Sequence, residues 1–205
     1  LSTPEAVVFD LGNVLIRWDP HAAIAAGVGP EEATRFLEAD DFDFRAWNHA
    51  QDAGRSWDEA VAEAVRSHPH WREHVAAYRS HFAESIAHEV EDTVEVLREL
   101  HEAKVPLFAL TNWSAELFPA ARERYGFLQL FDDIVVSGEV RAAKPAPEVF
   151  DILRQRTGRA LESCLFIDDS PDNVEGARRS GLQAVLFTDA AQLRDDLRAR
   201  GLPLA

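Results

Sequence analysis

Residues 6–16 read AVVFDLGNVLI, a short apolar run that stops at a single carboxylate, Asp10, and turns through Gly12-Asn13 into a second apolar run. Short apolar runs bounded by turn residues suit strands buried on both faces of a parallel sheet. In open α/β sheets ligands bind just beyond the carboxyl ends of the strands, so an acid at that end of the first strand stands where a reactive group would stand. Alone, Asp10 carries little weight, because Asp also ends strands simply by favouring turns and helix caps.

The same arrangement recurs three times. PLFAL, near 106–110, runs into Thr111-Asn112; IVVS, near 134–137, is followed by Lys144-Pro145; CLFI, 164–167, runs into Asp168-Asp169 and then SPDNVEGARRSG. A further apolar run, AVLF, lies near 184–187. Between these runs, EDTVEVLRELHEA, PEVFDILRQRTG and DNVEGARRSG repeat apolar residues at helical spacing, the latter two closing at Gly158 and Gly181. Asp172 and Asn173 stand where they would cap a helix beginning near Val174. This alternation predicts right-handed βαβ crossovers in a doubly wound parallel α/β sheet.

Residues from about Trp18 to Ala87 break the rhythm. EEATRFLEA, DEAVAEAVRS and HWREHVAAYRSHFAESI have helical patterns, separated by Gly29-Pro30, Gly54 and Pro69, with no buried strand among them. The expected organisation is a core of residues 1–17 and 88–205 with an all-helical cap at 18–87. His70 and His74 have the spacing of a metal pair, but no HExxH pattern or third ligand accompanies them, and a solvated helix face is expected. Asp43, Arg45, Trp47 and His49 are expected on a cap turn facing the site.

The chain has 205 residues, of which 46% are hydrophobic, enough for a substantial core with an insertion. Its formal charge of −15 argues against nucleic acid and anionic membrane surfaces as partners. An anionic substrate must then be drawn by local positive charge, for which Lys144 and Arg17 are candidates. The chain has only two lysines, Lys104 and Lys144, among many arginines. Cys164, the single cysteine, reads as a small apolar residue opening a buried strand, and a reducing cytoplasm fits it. No segment has the apolar length of a membrane helix or the pattern of a secretory leader. The absence of methionine suggests that Leu1 is not the natural start.

In order and spacing, the segments around Asp10, Thr111, Lys144 and Asp168-Asp169 resemble the four motifs of the haloacid dehalogenase superfamily, and the insertion resembles its helical-cap subgroup. The FDLGNVL form resembles a branch of small capped phosphatases that includes enzymes acting on α-D-glucose 1-phosphate. The resemblance implies strand order 3-2-1-4-5 and a Mg²⁺-dependent phosphatase acting on a small-molecule phosphate ester. Asp10 would attack phosphorus and carry a covalent aspartyl-phosphate. Thr111, Asn112 and the backbone N–H groups that follow would serve the phosphate oxygens, and Lys144 would hold both nucleophile and phosphate by its point charge. Hard carboxylate oxygens suit Mg²⁺. By resemblance, Asp168 ligates it together with Asp10 and the Gly12 backbone carbonyl, with Asp169 and Asp172 as outer or competing ligands. Substrate contacts are expected from Asn13, Trp18, Trp113, Asp43 and Arg45, the two tryptophans serving either as pocket walls or as packing between cap and core.

One position departs from the family. Most of its phosphatases carry a second Asp two residues after the nucleophile, where it protonates the leaving group and then activates water; here that position is Gly12. A cap residue, a bound water or Asn13 could fill the role, and an anomeric phosphate would need less acid assistance. His49 and Asp43 are the cap side chains first suspected. Two other readings stay open: a 2-haloacid dehalogenase, against which Asp168-Asp169 speaks, and a binding module whose catalysis has decayed at Gly12. Substrate and oligomeric state are left undetermined.

Overall fold

The computed structural model describes residues 3–204; Leu1, read above as a non-native start, lies outside them. Five strands, β1 (Ala6–Phe9), β2 (Leu107–Thr111), β3 (Asp133–Val136), β4 (Cys164–Asp168) and β5 (Gln183–Leu186), form one parallel sheet in the order 3-2-1-4-5. In β1, Phe9 pairs with Ala109 of β2 on one side and Ile167 of β4 on the other, so Asp10 leaves the sheet between these two neighbours. Successive residues of β1 face opposite layers: Val7 and Phe9 pack into one apolar cluster, Ala6 and Val8 into the other. Burial on both faces is why these strands read as continuous apolar runs.

Seven α-helices lie between β1 and β2, and the first six make up the insertion: α1 (Pro20–Val28), α2 (Pro30–Leu37), α3 (Phe44–Asp52), α4 (Trp57–Ser67), α5 (Arg72–Ser80) and the single turn α6 (Phe82–Ser85). The long segment expected as one helix over 70–86 is broken, with a 3₁₀ turn at Pro69–Trp71 and an interruption at His81. Residues 44–52, expected as a turn, are helical, and Asp43 caps that helix by accepting from the Ala46 N–H at 2.9 Å. His74 is not on a solvated face. It is buried against Phe36 and Trp71, and its Nε2 meets Glu32 at 3.2 Å, while His70 pairs with Asp41.

In the rest of the chain α7 (Glu91–Glu102) precedes β2, and α8 (Phe118–Arg124) lies between β2 and β3. The short α9 (Ser137–Val140) and α10 (Pro147–Thr157) lead to β4, α11 (Pro171–Arg179) to β5, and α12 (Ala190–Ala199) follows. Apolar residues of α7 and α12 cover one face of the sheet and those of α10 and α11 the other. Cys164 is buried at the start of β4. Helix α11 begins at Pro171, three residues before the expected Val174, so Asp172 and Asn173 lie inside its first turn and do not cap it; Ser170 occupies the cap position. Among the described residues, no helix is long and apolar enough to cross a membrane.

Candidate active site

The strand ends bring the separate motifs into one crevice. Asp10 follows β1, Thr111 ends β2, and Asp168 ends β4. Lys144, from the loop between α9 and α10, is 1% exposed and lies between two carboxylates, with Nζ 2.9 Å from Asp10 Oδ1 and 2.7 Å from Asp168 Oδ2. A third bond, to the Leu110 carbonyl at 2.9 Å, completes its ammonium donors. Burial favours the neutral amine, but the two carboxylates outweigh it and hold the Lys144 pKa above its ordinary value. Burial likewise pushes Asp10 up to about 7, with Asp168 adding to the rise and Lys144 opposing it.

The loop that carries Lys144 is held from two sides. The Asn112 amide accepts from the Lys144 N–H and donates to the Lys144 carbonyl, both at 2.9 Å, so its side chain is committed to positioning. Helix α11 presses on the neighbouring Pro145, where a Cβ on Gly176 would come within 2.7 Å of the Pro145 carbonyl oxygen. Asp168 is oriented by the Ser170 N–H at 2.8 Å and by the Asn173 side chain at 3.0 Å. Asn173 holds a core carboxylate, a role its spacing in the sequence did not signal.

The turn after β1 is tight. Leu11 offers its carbonyl to the N–H groups of Leu15 and Ile16, both at 2.9 Å, and Asn13 takes a φ of 55°, a left-handed conformation that Asn tolerates better than most residues. The Asn13 side chain accepts from the Trp18 N–H at 3.1 Å and bonds Asp169, whose carboxyl is pushed up by burial and by Asp168. Carboxylate oxygens of Asp10, Asp168 and Asp169 converge within 4.8 Å of one another, the only such cluster among the described residues. Three carboxylates face one ammonium, and this excess of hard, anionic oxygen fits a small divalent cation. Asp172 is not part of the cluster.

Above this charged floor opens a cavity of about 240 Å³. The core lines it with Asp10, Gly12, Asn13, Thr111, Asn112 and Asp169, while Lys144 and Asp168 lie buried behind them. Trp18 and Trp113 both line the cavity and both pack: Trp18 donates to the Tyr78 hydroxyl at 3.2 Å, and Trp113 meets Phe82 at 5.9 Å. From the cap come Arg45, Asn48, His49 and Asp52. Asp43 stands outside the cavity, on an adjoining groove that shares Asn13, Trp18 and Arg45. Arg17 is exposed and does not line the cavity; Arg45 is the arginine that does. Asp52 went unnoticed in the sequence because no motif surrounds it and it ends a helix whose pattern was not visible.

A family model described as haloacid dehalogenase-like hydrolase matches residues 4–181. A phosphatase of Mycobacterium tuberculosis is 36% identical over 107 residues, 51% of this chain and 48% of its own length. The ribulose-1,5-bisphosphate 5-phosphatase of Halopiger xanaduensis is 28% identical over 203 residues, covering 89% of this chain and 84% of that one. The chain thus spans about half the length of the first relative and most of the second. The magnesium complex of a haloacid dehalogenase-family enzyme from Bacteroides thetaiotaomicron superposes with a TM-score of 0.71 at 20% identity, covering 92% of this chain and 95% of that one, a likeness of fold. Strand order, the motif-bearing strand ends and a family match over most of the chain agree, and the chain belongs to the haloacid dehalogenase-like hydrolases.

Proposed function

We propose that the chain is a Mg²⁺-dependent phosphomonoesterase acting on a small phosphate ester, with residues 1–17 and 88–205 as its catalytic core and 18–87 as its cap. The observation that carries this reading is Lys144, buried between Asp10 and Asp168 beside the Thr111 end of β2. A cation fixed there orients a carboxylate nucleophile and offsets the charge of a phosphoryl group approaching it. Asp10 attacks phosphorus, the ester oxygen departs, and water then hydrolyses the aspartyl-phosphate. Thr111 and the main chain after it bind the phosphoryl oxygens. Asp10, Asp168, Asp169 and the Gly12 carbonyl would hold Mg²⁺, which would neutralise phosphate charge as a Lewis acid.

On the cavity's cap side, Arg45 supplies a positive charge and Trp18 and Trp113 supply flat apolar walls. These suit a compact organic phosphate, and the ribulose-1,5-bisphosphate 5-phosphatase and a fructose-1-phosphate phosphatase among the relatives make sugar phosphates the first class to try. The carboxylates beside Asp10 disfavour halide displacement from carbon, which needs no cation.

The test is phosphate release from sugar phosphates, nucleotides and phospho-acids, with Mg²⁺ and with EDTA. Asp10→Asn should lower kcat/KM by at least about 10³-fold, since an amide is a poor nucleophile. Near-native turnover in that variant, in a preparation free of other phosphatases, would rule out the covalent route. Chloride release from a 2-haloacid in EDTA would favour the dehalogenase.

A further inference from the structure

The cavity over Asp10 has a carboxyl on its far wall. Of the three acids that line it, Asp10 and Asp169 belong to the core cluster, and Asp52 alone comes from the cap, at the last turn of α3. Gly12, meanwhile, offers no proton from the core side. Its surroundings are open, with nothing within 4 Å of an added Cβ, so the gap there is chemical and not steric.

Asp52 is held in place from both sides of the seam between cap and core. The Ser137 hydroxyl donates to the Asp52 carbonyl at 2.6 Å, and the Asn48 amide donates to Asp52 Oδ2 at 3.1 Å. Just beyond it, Trp57 donates its main-chain N–H to Glu116 at 2.8 Å and its indole N–H to Ser114 Oγ at 2.9 Å, while Gly54 lies against the Arg141 side chain. These bonds hold the end of α3, and with it the Asp52 carboxyl, at the cavity wall.

Its surroundings also raise the pH at which it gives up its proton. Burial pushes the Asp52 carboxyl up to about 7, with the Ser114 N–H and the more distant Lys144 charge pulling the other way. Around the same cavity stand Tyr78 from α5, Arg45 and His49 from its own helix, and Asp10 from the core. Burial moves the Tyr78 phenol well above its ordinary range, which makes it a much weaker proton donor than the Asp52 carboxyl.

We propose that Asp52 is the proton donor and acceptor of this site, replacing from the cap the carboxyl that Gly12 lacks. The proposal rests on the phosphatase reading given above. As Asp10 Oδ bonds to phosphorus and the bond from phosphorus to the ester oxygen breaks, the Asp52 proton passes to that oxygen and the alcohol leaves. Asp52, now ionised, takes a proton from the water that attacks the aspartyl-phosphate. The Asp10–phosphorus bond breaks, inorganic phosphate departs, and both carboxyls return to their starting states.

The test compares kcat/KM for p-nitrophenyl phosphate, whose leaving group departs without a proton, with that for an alkyl phosphate such as glycerol 1-phosphate. Asp52→Asn should lower the alkyl value on the order of 10²-fold or more and leave the aryl value within about threefold. With Mg²⁺ present, the alkyl kcat/KM of the native enzyme should decline as pH rises above about 7, where Asp52 gives up its proton, and Asp52→Asn should lack that limb. Gly12→Asp added to Asp52→Asn should restore alkyl turnover at least tenfold, by supplying the proton from the other side. His49→Gln should leave the ratio of the two substrates unchanged. Equal losses on both substrates, or an alkyl-specific loss in His49→Gln and none in Asp52→Asn, would overturn the assignment. Absence of phosphatase activity in the native protein would instead reject the reading beneath it, so the two failures are distinct.

Discussion

Core and cap use different kinds of contact to place their functional groups. In the core, Asp10, Thr111 and Asp168 stand at the ends of hydrogen-bonded strands, and their mutual positions follow from main-chain register. The cap is an aromatic cluster: Phe36 meets Phe42 at 5.0 Å and Trp71 at 5.2 Å, Phe44 meets Tyr78 at 5.0 Å, and Trp47 meets Trp57 at 5.3 Å. Its place on the core depends on side chains, chiefly Trp57 on Ser114 and Phe82 on Trp113. A nucleophile set by strand register tolerates wide sequence change around it. A cavity wall set by ring packing changes shape with each substitution, so on the proposed reading the nucleophile and its charge partners stay with the core, while choice of substrate, and the proton proposed for Asp52, come from the cap.

The strongest way to break this division is to attack the core's charge balance. Lys144→Ala should abolish turnover and, in EDTA, cost about 3–5 kcal/mol in urea unfolding, because it leaves two buried carboxylates without their cation. A variant as stable as the native chain would mean that those carboxylates are protonated and that the charged floor is not a structural feature. A smaller effect is expected at the seam. Trp57→Phe removes the indole bond to Ser114 while keeping a ring, and should cost about 1 kcal/mol. It should also alter the ranking of substrates more than it alters turnover of an aryl phosphate; an unchanged ranking would place recognition in the core loops.

The smallest effect is expected far from both. Arg156 pairs with Asp133 through two bonds of 2.6 Å, and these hold the Asp133 carboxyl below its ordinary range. The pair is partly exposed and screened by salt, so Arg156→Ala should cost under about 0.5 kcal/mol at neutral pH. Because the folded-state pKa is depressed, this contribution is present above the ordinary carboxylate range and fades as pH falls through the Asp133 value. A variant and native chain that differ more at low pH than at neutral pH would reverse the expected sign.

Most of the core was legible because its signals are local. The strands are short apolar runs, three of which, β1, β2 and β4, run directly into a site residue, and Gly158 in a left-handed conformation closes α10 as expected. The cap was read less completely. Helix α1, PHAAIAAGV, is apolar nearly all round, so no stripe marks it, although Asp19 capping Pro20 was a usable signal. In α3 the buried face includes Asn48 and Gln51 beside Phe44 and Trp47, so polar residues mask the helical period. Where a helix buries polar groups, hydropathy understates its inward face.

What the sequence determined by itself was the succession of strands and motifs along the chain, and with it the positions of Asp10, Lys144 and the Asp168-Asp169 pair, because strand periodicity and motif spacing are properties of the chain read one segment at a time. It also showed that an acid is missing at Gly12. Only the tertiary structure decided what stands opposite that gap. Asp52 is 42 residues from Asp10 along the chain, and no period or spacing links them. They share a cavity because Trp57, Ser114 and Ser137 dock the end of α3 onto the core, and that docking is a matter of side-chain fit between distant segments.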